Sequence, residues 1–254
     1  MADAVDEIYD ESGRLCVSAL MLSFVCRRTG TGTSRSRITG NTAPSSLEVD
    51  VSGIAQPMVA IIMDGYVVAV AGRSGSNSQN VSFACSAPVG VGFTYYIFDW
   101  TTALPASNGL RQMWNEAGQK TFDSNFWPMK IVAGLSGGSG DQLSAVPGIK
   151  FAAACSALGG HSIPGEAACY DSGNPNFDDL TTCNNIQARI DGKLYGGRTD
   201  SGGSRVTAGQ VSYDDVLGSY GNYSSYQQNG GGWEIANLIL VVDVTSIPVG
   251  VTFF

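Results

Sequence analysis

Ser136 stands in Gly134-Leu135-Ser136-Gly137-Gly138, a G-x-S-x-G pattern that follows an apolar run. In a hydrolase this pattern is a tight strand-to-helix turn that exposes a nucleophilic serine. A base and an orienting acid would be needed, and the chain offers His161, its one histidine, with Asp141 lying between. The surroundings argue against catalysis. Residues 137–142 read GGSGDQ and announce no helix, and a chain this rich in Gly and Ser produces the pattern by chance. The expectation is a flexible loop, no catalytic residue and no enzyme.

The other reactive groups are equally isolated. A lone histidine without a cysteine pair is a poor metal site, and none of the six cysteines (Cys16, Cys26, Cys85, Cys155, Cys169, Cys183) sits in a C-x-x-C pair. No metal or cofactor is expected, and no Walker or dinucleotide motif is present. The carboxylate pairs Asp178-Asp179 and Asp214-Asp215 are adjacent in sequence, so on a strand each pair would point to opposite faces. Without a basic leader in residues 1–8, the cysteines are expected to be reduced and buried as small hydrophobes.

Two clusters suit recognition instead. Arg27, Arg28, Arg35 and Arg37 lie in a Gly/Thr/Ser-rich stretch and read as a candidate docking loop for an acidic partner. Tyr220, Tyr223, Tyr226 and Trp233, with Tyr213 nearby, form a candidate recognition surface. Tyr supplies contact area at small entropic cost, and the surrounding Ser, Gly and Asn supply adaptable hydrogen bonds. The net charge of −8 argues against broad nucleic-acid binding, which needs a basic face. Apolar runs at 20–26 and 235–242 fall far short of a roughly 20-residue membrane span, so no insertion is expected.

The elements that must carry these groups read as strands. Charged residues are only 14% of the 254 and glycines number 33, a profile of many short strands and many turns. Residues 14–26 are a nearly continuous apolar run, and 27–46 read as a long polar loop. Two apolar runs, 58–63 and 66–70, are joined by Asp64-Gly65, which predicts a tight hairpin with a primed turn. Asp191-Gly192 repeats that signal between 186–190 and 193–195. Residues 156–184 read as a long connection and 218–232 as a loop. No segment has a helix start, an apolar 3.6 period and a stop. The expected fold is all-β, an antiparallel sandwich or jelly roll in two lobes, 1–133 and 134–254.

One pattern is written twice. Residues 109–124, GLRQMWNEAGQKTFDS, read as strand, turn and strand, with Asn115 to Gly118 supplying the turn. Ile8-Tyr9-Asp10-Glu11-Ser12-Gly13-Arg14-Leu15 is a shorter version: apolar, aromatic, Asn or Asp, Glu, small, Gly, long polar. With Tyr95-Tyr96-Ile97-Phe98-Asp99 and the closing residues 238–244, LILVVDV, this framework resembles a family of small tail proteins of tailed bacteriophages. That family's sentence runs roughly G-L-x-V-[FW]-[ND]-x-x-G-x-x-x-F-D-S and precedes an apolar strand, here 129–133. The cysteines and the stretches 156–184 and 218–232 depart from it.

The resemblance implies a structural, non-enzymatic protein of the virion, at the tail tip, baseplate or fibre attachment and assembled in the host cytoplasm. Its partners would be copies of itself, a trimer by first choice, and other tail proteins. Two further functions are carried beside it: a receptor-binding module touching host glycan or pilus, and a capsid decoration protein.

Overall fold

The computed structural model describes residues 7–9, 15–18, 23–36, 43–74, 79–100, 109–137, 140–155, 160–169, 186–220, 234–235 and 238–252. Among them no helix occurs, and the strands run β1 (Glu7–Tyr9), β2 (Leu15–Ser18), β3 (Phe24–Thr33), β4 (Ser45–Asp50), β5 (Met58–Ile62), β6 (Val67–Ser74), β7 (Asn80–Cys85), β8 (Gly92–Trp100), β9 (Gln112–Trp114), β10 (Lys120–Asp123), β11 (Lys130–Ser136), β12 (Gln142–Leu143), β13 (Phe151–Cys155), β14 (Gly160–Cys169), β15 (Ile186–Asp200), β16 (Arg205–Tyr220), β17 (Glu234–Ile235) and β18 (Leu238–Asp243). The expected all-β antiparallel sandwich is what forms.

One sheet has the order β11-β18-β13-β5-β8-β3. The other runs β12-β16-β15-β6-β7-β4, with β14 and β17 joined beside β15. Each sheet therefore mixes strands from both halves of the chain. The two-lobe division at 133/134 is corrected by this: the boundary falls inside β11, and β5 pairs with β13 while β6 pairs with β15.

The alternation of side chains sorts the core. Between the sheets, Leu47, Val49, Val59, Ile61, Phe83 and Ile97 pack at one end. Leu135, Phe151, Val206, Ile239 and Val241 pack at the other. The opposite face of the first sheet is also apolar and is covered. Ala60, Tyr96, Phe98, Ala152 and Val242 lie under Ile247, Trp127 and Met129. This is why residues 58–63 are apolar without alternation: both faces of β5 are buried, and each buried Val, Ile or Met side chain contributes about 1.5–3 kcal/mol.

Tyr96 is the largest wholly buried side chain of that covered face, and its hydroxyl has no hydrogen-bond partner. Burial pushes its phenol up to about 12, with the neighbouring Cys26 adding to the shift. An unpartnered buried hydroxyl costs about 1–3 kcal/mol of desolvation. Tyr96→Phe is therefore expected to raise the unfolding free energy by about 1 kcal/mol in urea denaturation. A loss of that size would show that the hydroxyl holds a bond.

Both Asp-Gly expectations are corrected. Gly65 does take φ 80°, so the turn is real. But β5 and β6 leave it for different sheets, and Gly65 N–H donates to the Thr199 carbonyl at 2.7 Å. Asp191-Gly192 makes no turn; β15 runs straight through it. The hairpin turn comes at Ser201, Gly202 and Gly203, which have φ of 51°, 72° and 91°. Within 156–184, β14 forms a ten-residue strand against β15, with a register shift between Pro164 and Ala167. Proline lacks the N–H a regular ladder needs, so a bulge there is its natural place.

The polar stretch from 27 is corrected as well. Strand β3 continues to Thr33, and its Gly30 and Gly32 stand opposite Tyr95 and Phe93. A Cβ on Gly30 would lie 2.5 Å from the Tyr95 hydroxyl oxygen, and one on Gly32 would lie 2.7 Å from the Phe93 ring. The glycines are seats for the aromatic rings of β8.

Candidate functional site

The described arginines of the expected docking loop divide between the fold and its surface. Arg27 is the extra residue of a bulge in β3, where the β3–β8 register shifts between Cys26 and Arg28. Bulges re-aim side chains. This one brings the Arg27 guanidinium to 3.5 Å from the Asp99 carboxylate, at 11% and 1% side-chain exposure. Arg28 donates to the carbonyls of Asp50 at 3.0 Å and Ser52 at 3.3 Å. Arg35 is exposed, 3.6 Å from Glu48. Arg37 lies outside the described residues. Of the expected docking residues, Arg27 is thus tied to a buried acid, Arg28 to main-chain carbonyls, and Arg35 remains at the surface.

Asp99 is the centre of that cluster. It closes on the backbone N–H groups of Ala55 at 3.2 Å, Gln56 at 3.0 Å and Trp100 at 2.9 Å. Sequence reading did not single it out, because nothing local marks a strand aspartate as buried. A second buried carboxylate, Asp123, organises the β9–β10 hairpin. It accepts from Gln112 Nε2 at 2.8 Å, Lys120 Nζ at 2.9 Å and the Asn125 N–H at 3.0 Å.

That hairpin forms as the sequence predicts. Gly118 takes φ 70°, and the Asn115 side chain accepts from the Gln119 N–H at 2.9 Å. Leu110 is fully exposed and Trp114 is 49% exposed at its surface; Tyr9 on β1 is 54% exposed. These apolar side chains, held on bonded hairpins, are what the residue-by-residue reading passed over. The pattern was visible, but its exposure was not.

The serine-centred arrangement does not come together on the backbone. Ser136 is exposed at the end of β11, and its N–H donates to Asp141 at 3.3 Å. The chain continues to β12, with no helix among the described residues. His161 is on β14, in the other sheet, opposite Lys193 and Glu234. Among the described residues no group of three His, Cys, Asp or Glu gathers as a metal site. Asp214 and Asp215 lie on β16; Asp178 and Asp179 fall outside the described residues.

Of the expected recognition surface, Tyr220 ends β16 opposite Ile186, so its backbone is strand rather than loop. Its side chain, and Tyr223, Tyr226 and Trp233 altogether, lie outside the described residues. Cys26, Cys85 and Cys155 are free thiols. Burial pushes Cys26 up to about 12 and Cys155 up to about 11, which leaves almost no thiolate for chemistry.

An open cleft of about 490 Å³ at one end of the sandwich is lined by Thr31, Asp64, Phe93, Thr94 and Lys150. The Asp64 carboxylate in it accepts the Gly202 N–H at 2.7 Å, an internal bond that ties the 201–204 turn to the sheet crossing. Neither a scan against protein-family models nor searches of curated proteins and of solved structures finds a match for this chain.

Proposed function

We propose that this chain is a non-enzymatic structural protein of a bacteriophage tail, at the tip, baseplate or fibre attachment, working as an oligomer with other tail proteins. One contrast supports the reading. The buried carboxylates Asp99 and Asp123 close on backbone N–H groups and internal cations, while Tyr9, Leu110 and Trp114 stand at the surface on hairpins. Leu110 and Trp114, large apolar side chains held at the surface of one ordered hairpin, suit contact with another protein. The resemblance of residues 109–124 to the framework sentence of small tail proteins suggests the setting.

Immunogold labelling of purified particles tests it. Label at the distal tail supports the reading. Label on the capsid would favour a decoration protein, and absence from particles would refute a virion role.

A further inference from the structure

At the cleft beside the 200–204 turn, two opposite charges stand across from each other and do not pair. Counting on from the β13–β5 pairs Ala153–Ile61 and Ala154–Ala60 sets Lys150 opposite Asp64. Opposite charges across strands attract, and elsewhere in this fold they close on each other. From such positions Lys130 reaches Asp243 at 3.3 Å and Arg205 reaches Asp200 at 3.1 Å. Lys150 and Asp64 are held apart by the main chain. After Ile62 the chain crosses to the second sheet, where Met63 N–H donates to the Thr199 hydroxyl and Gly65 N–H to the Thr199 carbonyl. The turn enters beside that crossing. Phe151 N–H donates to the Gly203 carbonyl at 2.7 Å, and Gly202 N–H donates to Asp64 at 2.7 Å. A Cβ on Gly203 would lie 2.5 Å from the Phe151 carbonyl oxygen, so only glycine fits there.

The opening is thus fixed by bonds on both sides. Its volume of about 490 Å³ falls within the range of small-molecule sites, roughly 300–1,000 Å³. Thr31 stands opposite Thr94, and Thr94 opposite Ile62, so the two hydroxyl-bearing residues share one face of the first sheet. The apolar residues that touch the cleft, Ile62 and Phe93, are buried. What it shows to water is therefore carboxylate, ammonium, hydroxyl and main chain. Among the described residues, nothing bonds the Lys150 ammonium, the second Asp64 oxygen or the Thr31 and Thr94 hydroxyls.

The ammonium can only donate, the carboxylate can only accept, and each hydroxyl does both. An anion would meet Asp64 and a cation would meet Lys150. A neutral ligand whose every polar group both donates and accepts serves all four, and that is a polyol ring. We propose that this cleft binds a neutral sugar residue, with Asp64 and Lys150 on opposite sides of it and Thr31 and Thr94 along its edge. The inference goes beyond the tail reading and does not depend on it.

Saturation-transfer NMR on the purified full chain tests it. The probes are the methyl glycosides of glucose, galactose, mannose and N-acetylglucosamine, with glycine as the zwitterionic comparator. At least one glycoside is expected to receive saturation, and glycine none. Three variants then decide the site. Thr31→Val/Thr94→Val removes both hydroxyls at constant shape, Lys150→Met removes the ammonium, and Asp64→Asn keeps an oxygen for the Gly202 N–H. Each is expected to weaken binding of that sugar about tenfold or more, with a urea midpoint near wild type. Comparing the free reducing sugar with its glycoside separates the sources: preference for the glycoside supports a residue within a polymer, and preference for the reducing form supports a free sugar. Saturation of no sugar overturns the proposal. So does undiminished binding by all three variants, or glycine bound in place of the sugars. Sugar binding with no label on particles would keep this site and remove the tail role; label at the tail with no sugar bound would do the reverse.

Discussion

Asp99→Ala is expected to lower the unfolding free energy by about 3–5 kcal/mol, the range for removing one partner of a buried ion pair. Asp99 is wholly buried and closes on three backbone N–H groups and the Arg27 guanidinium. Alanine would leave those donors without their acceptor in a place water reaches poorly, and each such loss carries its own desolvation cost. Ala55 and Gln56 belong to the segment that enters β5, so the change would also loosen the entry to a central strand of the first sheet.

Asp99→Asn keeps one carbonyl oxygen and removes the charge, so an intermediate loss is expected. Urea unfolding with an unchanged m-value is the measurement. Both variants falling within about 1 kcal/mol of wild type would mean that the carboxylate does not hold this corner together.

The all-β class was legible because it depends on local facts: short apolar runs, frequent turn residues and no 3.6 period. The twin hairpins were legible for the same reason. In the one at 109–124, Asn115, Gly118 and Gln119 settle the turn among themselves. What failed was everything decided at a distance. Asp64-Gly65 does encode a positive-φ turn, but a turn does not state whether its flanking runs pair or part. Because both faces of β5 are buried, its pattern gave no sign of which neighbour it would take. At Asp191-Gly192 the local preference lost to a long ladder with β14 and β16.

Composition misled where glycine and arginine serve packing. The 27–33 stretch has the residues of a loop, yet its glycines accept aromatic rings across the ladder and its Arg27 reaches a buried acid. Cross-strand register was needed to see either. The candidate site was half legible on the same grounds. The hairpin at 109–124 could be read as an element, but the exposure of Trp114 and Leu110 depends on what covers them, which no local pattern records. The two-lobe expectation failed for a related reason, since the pairing of β5 with β13 and β6 with β15 leaves no trace in either segment alone.

Gly196→Ala is the second large effect, expected to destabilise by about 3 kcal/mol or more, at the upper end for overpacking because the obstacle is main chain. Strand β15 meets β6 at Gly197–Val68 and Arg198–Val67, the seam that joins β12, β16 and β15 to β6, β7 and β4 within one sheet. A Cβ on Gly196 would collide with the Val68 carbonyl and the Ala69 Cα, backbone atoms that no rotamer change can move aside. The next residue faces the other sheet, where a Cβ on Gly197 would lie 2.5 Å from Ala153 Cβ and 3.2 Å from Ile239 Cγ2. Consecutive glycines thus let the seam close on one side and the sandwich close on the other.

Gly250→Ala is the control. That glycine has φ 82° but open space around it, so only a backbone penalty of about 1 kcal/mol is expected. Hydrogen exchange on Gly196→Ala should show protection lost together in β15, β16 and β6, because the change pries apart the joint they share. Full protection there, with a urea midpoint matching the control's, would mean that the two halves of the second sheet do not depend on this close approach.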